Sequence, residues 1–225
     1  MLSLALAAAL FAGIHLGIAG TPLRAALVGK IGQGPYMGLF SLLSVGALGW
    51  LILSYGAAPY QEVWVAPVAA KHATHLIMLI AIFFMVVGLT TPNPTSTGME
   101  SKLQEEEAAK GMVRITRHPF LWATMLWAVS HMAVNGDLAT ILLAASILTV
   151  GVFGTRSIDA RRAALDPQGW ERFAAQTSNI PFVAIAQGRN SLKIGELGWW
   201  RLVLAAATFG ALFYYHGLLF GVPVM

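Results

Sequence analysis

Two of the six histidines in this chain lie inside long apolar runs, where a polar side chain is costly. His15 interrupts the run from Leu2 to Ala19, and His131 interrupts the run that follows Pro119. An imidazole in such a run either bonds a carbonyl of a neighbouring helix or binds a metal through its lone pair. For either histidine taken alone, the residue type does not decide between these two roles.

The absence of cysteine restricts the metal chemistry that is possible here. With no cysteine in the chain, thiolate zinc sites, iron–sulfur clusters and covalent c-type haem are excluded. Two imidazoles from different helices, with no carboxylate beside them in the apolar runs, suit the iron of haem b held inside a helical bundle. His15 and His131 are the two histidines that meet this description. His75, three residues after His72 and on the same helix face, is the alternative partner for His131.

A basic triplet stands before the helix that carries His131. Arg114 and Arg117 precede His118, and Pro119 can open the helix. Together with Arg24 in the first loop, these residues could bind an anion such as a phosphate, a carboxylate or the propionates of haem. The other interpretation is that the cations anchor a helix to lipid headgroups, and spacing alone favours it.

The composition indicates what kind of protein must position these residues. Hydrophobic residues make up 57% of the 225 residues, charged residues only 11%, and the mean hydropathy is +0.68. This is the composition of an integral membrane protein, so we expect an all-α, polytopic helical bundle with about six transmembrane helices. The basic pI of about 9.6 comes from loops between apolar runs, so we expect a membrane and not nucleic acid as the partner.

The apolar runs and the breaks between them predict one membrane domain over residues 1–225. Gly111 is predicted to end a short acidic helix over residues 99–110. Asn135-Gly136-Asp137 is predicted to form a turn that also caps the next helix. Asp166-Pro167 should separate two helical pieces. The surface segments are predicted at residues 90–118 and 155–198. The predicted spans are residues 2–19, 35–54, 72–89, 119–134, 138–153 and 199–220.

The basic residues predict the orientation in the membrane. With six crossings, every lysine and arginine except Lys71 falls on one side, which is the pattern of a cytoplasmic face. We therefore expect both termini on the non-cytoplasmic side, in a bacterial inner membrane. The first apolar run has no basic residue before it and is longer than a usual signal-peptide core, so we interpret it as a span.

Several stretches together resemble the NnrU family of membrane proteins, and the resemblance covers most of the chain. They are Ile14–Ala19 with Pro22–Arg24, Gly111–Pro119, Leu126–His131 with Asn135-Gly136, and Thr177–Phe182 with Gly188-Arg189. Within the family the chain is most similar to the branch that isomerises carotenes. Arg-His-Pro alone would be a weak motif.

The resemblance implies a haem b whose iron is held by His15 and His131. It implies a redox-dependent cis–trans isomerase of a polyene such as 15-cis-zeta-carotene, an apolar substrate that enters sideways from the lipid. Two positions depart from the isomerase branch: Ala128 stands where that branch has a cysteine, and Val150 where it has a histidine.

Two other functions stay open at the level of sequence. The bacterial branch of the family is associated with denitrification and nitrogen-oxide metabolism, which suits a non-catalytic haem-binding protein. The Arg-His-Pro triplet before a helical hairpin also resembles isoprenylcysteine carboxyl methyltransferases, and this interpretation ranks third. Those enzymes carry paired glutamates in the later loop, where this chain has Arg161 and Arg162.

Overall fold

The computed structural model describes residues 1–222 and residue 224, and these residues fold into helices joined by loops. The all-α fold predicted from the sequence is confirmed; within the described residues the β structure is a single bridge between Glu62 and Asp137. The α-helices are α1 Leu2–Ile14, α2 Leu23–Ile31, α3 Gln33–Gly56, α4 Val68–Thr90, α5 Met112–Ile115, α6 Pro119–Asn135, α7 Leu138–Leu165, α8 Pro167–Gln176, α9 Val183–Ala186 and α10 Trp199–Phe220. A π-helical turn, His15–Ala19, continues α1, and 3₁₀ turns cover Glu100–Gln104 and Ile194–Leu197.

Five helical segments of the described chain are long and apolar enough to cross a membrane. They are Leu2–Ala19, Gln33–Gly56, Val68–Thr90, Leu138–Leu165 and Trp199–Phe220. The remaining predicted span is α6, whose 17 residues extend about 26 Å at 1.5 Å per residue. The chain is therefore a polytopic membrane protein, as predicted. The single domain and the side on which each loop lies stay predictions.

Helix α7 is longer than the span predicted at residues 138–153. The helix continues through charged residues to Leu165 and has 28 residues, or about 42 Å. Because the hydrocarbon layer is only about 30 Å thick, the charged end extends beyond it. The predicted surface segment 155–198 therefore begins as part of this helix. The break predicted at Asp166-Pro167 is confirmed: Asp166 caps α8 by accepting a 2.9 Å hydrogen bond from the Gly169 amide.

The acidic helix predicted over residues 99–110 is wrong in its length and in its end. Only Glu100–Gln104 is helical, as a 3₁₀ turn. Gly111 has a φ of +57° and precedes α5 as its N-cap, so it starts a helix where the sequence suggested that it ended one. Leu103 packs in a buried cluster with Val113 and Phe173, so tertiary packing and not local helix propensity sets the backbone of this segment.

By its internal contacts the chain divides into two compact units. Unit 1 comprises Met1–Thr74 and Trp127–Ile158; unit 2 comprises His75–Leu126 and the chain from Asp159 onward. In unit 1, α1 packs on α3, and Leu4, Leu51 and Ala139 are core residues. Ser3 adds a 2.7 Å hydrogen bond to Ser54 between these two helices.

The turn at Asn135-Gly136-Asp137 is organised as the sequence predicts. Gly136 has a φ of +65°, and the Asp137 carboxylate accepts a 2.9 Å hydrogen bond from the Thr140 amide. The Gly136 carbonyl accepts bonds from the amides of Val63 and Trp64 at 2.8 and 3.0 Å. The loop before α4 is thereby fixed to this turn within unit 1.

Unit 2 has a core of its own. Phe84, Val87, Met112 and Leu197 are members of one buried cluster. Gly88 of α4 lies so close to the ring of Pro119 that a β-carbon added there would lie 2.7 Å from it. This close approach positions the start of α6, and with it the Arg-His-Pro triplet.

Candidate functional site

His15 starts the π-helical turn that ends the first apolar helix. Its Nδ1 lies 2.7 Å from the carbonyl oxygen of Phe11, and its half-buried ring contacts the rings of Phe11 and Phe40 at centroid distances of 4.6 and 5.5 Å. A carbonyl only accepts, so Nδ1 is the donor, and in the neutral tautomer with this proton Nε2 is the acceptor nitrogen. A single π-helical turn inside an α-helix frequently marks a functional site.

His131 repeats this arrangement on α6. Its Nδ1 donates to the carbonyl oxygen of Trp127 at 2.9 Å, and its ring stacks on the Trp127 ring at 4.5 Å. In the neutral tautomer with this proton, Nε2 is again the acceptor nitrogen. Metal-binding histidines commonly use one ring nitrogen for the metal and donate the other to a carbonyl or carboxylate.

The two predicted ligands belong to the same unit, and the alternative ligand belongs to the other. His15 and His131 are both in unit 1. His75 is in unit 2, where its ring meets the edge of the Phe213 ring at 5.4 Å. Ala128, three residues before His131, is fully buried, and its methyl group offers no ligand atom. No cluster of three or more His, Cys, Asp or Glu suited to a metal occurs among the described residues.

Arg24, the first predicted anion-binding residue, lies in unit 1 on α2. Its guanidinium lies 5.3 Å from the centre of the Tyr36 ring and 3.4 Å from the Gln33 side-chain oxygen. Both contacts are with uncharged groups, so the charge of Arg24 is not neutralised by them.

Arg114, the second predicted anion-binding residue, is buried in unit 2 and binds other side chains of the protein. Its Nε and Nη2 donate to both carboxylate oxygens of Glu196 at 2.7 and 3.0 Å, and its Nη1 donates to Asn190 at 2.6 Å. The Gly111 amide adds a 2.8 Å bond to the same carboxylate. The hydrogen bond from Arg114 is the largest cause that lowers the pKa of Glu196 from 4.5 to about 2.

Arg117 and His118 share one carboxylate, that of Asp159. Arg117 donates from Nε at 3.0 Å and from Nη2 at 2.6 Å, and His118 Nε2 lies 2.7 Å from the same carboxylate. His118 is 3% exposed, and burial lowers its pKa below the ordinary value despite the hydrogen bond to Asp159. The imidazole is therefore neutral at pH 7 and donates from Nε2.

These contacts give the basic triplet a role inside the protein. Arg117 also donates to the Thr177 carbonyl, and its guanidinium lies 5.3 Å from the centre of the Trp170 ring. Asp159, on the charged end of α7, therefore binds the two residues that precede α6. Arg117 also binds the loop that follows α8. The triplet organises the polar part of unit 2, which neither interpretation of the sequence anticipated.

Asp159 and Glu196 are the residues that sequence reasoning missed. Their cationic partners lie 42 and 82 residues away, so no local pattern reveals the pairing. One signal was available: a carboxylate next to an apolar run is costly and needs a cation. Arg162 was also missed as a structural residue; it is buried, pairs with Glu100 at 2.9 Å and donates to the carbonyls of Pro94 and Ser96.

The fold and the donors define a class: a polytopic, all-α membrane protein with two histidines in one tautomer on apolar helices. The chain belongs to the NnrU family, since the family model described as "NnrU protein" matches residues 3–224.

Two curated relatives are enzymes of plants. Over 219 residues, or 96% of this chain, it is 25% identical to a protein named "15-cis-zeta-carotene isomerase, chloroplastic" from Zea mays. Over 82 residues, 36% of the chain and 22% of the relative, it is 32% identical to the protein of that name from Arabidopsis thaliana. The chain covers 58% of the length of the Zea mays protein. No solved structure matches the chain.

Proposed function

We propose that this protein binds haem b through His15 and His131 and catalyses the redox-dependent cis–trans isomerisation of a polyene such as 15-cis-zeta-carotene. The observation that carries the proposal is the shared tautomer of the two histidines. In each ring Nδ1 donates to a carbonyl of its own helix, which is the arrangement of metal-binding histidines that use Nε2 for the metal.

The donor set fits haem b on chemical grounds. Neutral imidazole is a usual ligand of haem iron, and a chain without cysteine cannot attach haem by thioether bonds. Both rings are supported by aromatic neighbours, Phe11 and Phe40 for His15 and Trp127 for His131. These contacts restrict rotation of the rings, so less side-chain conformational entropy is lost when a metal binds.

Bound haem would supply the one-electron chemistry that lowers the bond order of a double bond, and the protein residues serve that chemistry in three ways. The carbonyls of Phe11 and Trp127 fix the two imidazoles. The apolar helices exclude water from a hydrocarbon substrate. Their lipid-facing surfaces admit that substrate from the bilayer, since a carotene has no aqueous route of entry.

The first experiment measures the haem content of purified histidine variants. His15→Ala and His131→Ala should each reduce the haem bound per purified protein at least tenfold, because each removes a residue that would hold the iron. His72→Ala, an exposed histidine of the same unit, is the matched control and should keep its haem. Full haem in both ligand variants would overturn the proposal.

A second candidate is a non-catalytic haem-binding protein of nitrogen-oxide metabolism. The buried Ala128 favours it, because this position next to His131 provides no further ligand for exchange at iron. Incubation of the reduced protein with 15-cis-zeta-carotene, followed by chromatography of the isomers, separates the two. Formation of the 15-trans product supports the isomerase; bound haem without any product supports the second candidate.

A further inference from the structure

The connection between the first two membrane-spanning segments carries an arginine, Arg24, on helix α2. The segments Leu2–Ala19 and Gln33–Gly56 are each long and apolar enough to cross a membrane. α2 joins them with nine residues, about 14 Å, so it is too short to cross. Because two consecutive crossings are joined at one membrane surface, α2 and Arg24 lie at the level of the lipid headgroups.

The surroundings of Arg24 contain no carboxylate. α2 packs against the π-helical turn and α3, and none of these three elements contains an aspartate or a glutamate. The first acid of the chain is Glu62, which a β-bridge joins to Asp137 just before α7. Leu4 and Ala139 share a core cluster, so this pair of acids lies near the start of α1. α2 follows the other end of that span, about 22 Å away at 1.5 Å per residue.

Arg24 differs in this respect from the other two arginines that were predicted to bind an anion. Arg114 is paired with Glu196, and Arg117 is paired with Asp159. The guanidinium of Arg24 makes one long side-chain hydrogen bond in the described part of the chain, 3.4 Å to the Gln33 side-chain oxygen. An arginine has five N–H donors, so most of those of Arg24 are available to a ligand.

A second polar group beside Arg24 also has no partner. The guanidinium lies 5.3 Å from the centre of the Tyr36 ring. Tyr36 is 4% exposed, and its hydroxyl makes no hydrogen bond within the described residues. A buried hydroxyl without a partner costs free energy, which indicates a group that binds there.

The backbone favours an anion at the same place. Arg24 lies in the first turn of α2, where the positive end of the helix dipole attracts negative charge. The N-cap, Pro22, offers no side-chain capping bond, and the first turn contains no acidic residue. Arg24, the Tyr36 hydroxyl and the start of α2 therefore form a site that consists of donors and positive charge.

We propose that this site binds the phosphate of a membrane phospholipid. A phosphodiester carries one negative charge and only acceptor oxygens, so it matches a site made of donors. Arg24 donates two hydrogen bonds to the phosphate, and Tyr36 donates a third. A small movement of the arginine side chain, which lies over the Tyr36 ring, gives the phosphate access to the hydroxyl.

The position of the site favours a lipid over inorganic phosphate as the source of this group. α2 lies at the headgroup level, and Leu23 and Ile31, at its two ends, are exposed apolar residues that acyl chains can contact. The bound phosphate would fix α2 against the π-helical turn and α3. Neither His15 nor His131 takes part, so the inference does not depend on haem.

The test compares two probes that differ in the phosphate group. Dioctanoylphosphatidylglycerol is titrated by calorimetry into the protein in non-ionic detergent, and dioctanoylglycerol, which has no phosphate, is the reference. Wild type should bind the phospholipid at least tenfold more tightly than the reference, the size expected of one charge-assisted contact. Arg24→Gln should bind the two probes about equally.

Two further variants keep the result decisive. Lys30→Gln removes an exposed cation from the other end of α2 and should keep the wild-type preference. Tyr36→Phe keeps the ring under the guanidinium and removes the hydroxyl, so it should weaken phospholipid binding severalfold. Without lipid it should melt no lower than wild type, because the hydroxyl has no partner to lose. If Arg24→Gln does not fold, Tyr36→Phe decides, and wild-type affinity in that variant overturns the inference.

The remaining outcomes would each overturn the inference. Equal binding of the two probes by wild type, or an unchanged preference in Arg24→Gln, would show that no phosphate binds at Arg24. An equal loss of preference in Lys30→Gln would assign the effect to net charge. Inorganic phosphate that competes at the same concentration as the phospholipid would assign the site to the free anion. A separate measurement of haem content tests the proposed function, and none of these outcomes alters its result.

Discussion

Asp159 is the residue whose replacement should affect stability most clearly. Its carboxylate accepts from Arg117 and from the buried ring of His118. Asp159→Asn keeps the size of the side chain but removes the charge and turns one acceptor into a donor. One N–H of Arg117 or His118 then faces an amide N–H.

The expected loss follows from these contacts. A hydrogen bond to a charged group contributes about 1.5–3 kcal/mol, and breaking a buried ion pair costs about 3–5 kcal/mol. The Asp159 side chain is 18% exposed, so we expect the lower part of that range, about 3 kcal/mol. For a chain of this size that loss lowers the melting temperature by about 6–12 °C.

Thermal unfolding of the detergent-purified protein measures this change. Asp166→Asn is the matched control, because the same substitution is made at a helix N-cap, where asparagine caps as well as aspartate. We expect the control to melt within about 1 °C of wild type, which is under 0.5 kcal/mol. Equal melting temperatures for the two variants would refute the structural role assigned to Asp159.

Two further predictions concern a glycine and a carboxylate. Gly136→Ala should destabilise unit 1 by more than about 2 kcal/mol, because Gly136 has a positive φ and the added methyl group would clash with the Trp64 carbonyl. Gly188 also has a positive φ but lies in open space, so Gly188→Ala should cost only about 1 kcal/mol in the same unfolding assay. Glu196 has a pKa of about 2 in the folded state and 4.5 ordinarily, so its stabilising effect is complete above pH 4.5 and is lost as the pH falls toward 2. Glu196→Gln should therefore differ most from wild type at pH 6 and least near pH 2; a difference independent of pH would contradict this.

The helices could be predicted from the sequence because each is an apolar run bounded by residues with a strong local preference. The predicted span 199–220 coincides with α10, and Asn135-Gly136-Asp137 forms the predicted turn and cap. Such signals act within a few residues, where the chemistry of one side chain decides the backbone. The end of α7 could not be predicted in this way, since loss of hydrophobicity ends a membrane run without ending a helix.

The partners of the charged residues could not be predicted, because they are set by packing between distant segments. From their charge, Arg114 and Arg117 are predicted either to bind an anion or to anchor a helix to lipid headgroups, whereas the structure pairs them with Glu196 and Asp159. The sequence places the two histidines on two apolar helices, and their role as iron ligands stays a prediction. Their common tautomer, by contrast, depends on side-chain geometry that only the structure provides.

The central claim is that His15 and His131 hold haem b, and an absorption spectrum of the purified protein tests it most directly. The protein is expressed with ample haem, purified in detergent, and recorded oxidised and then reduced with dithionite. Two imidazole ligands predict a low-spin spectrum with sharp α and β bands on reduction and a shifted Soret band. A spectrum without haem absorption under these conditions would contradict the claim.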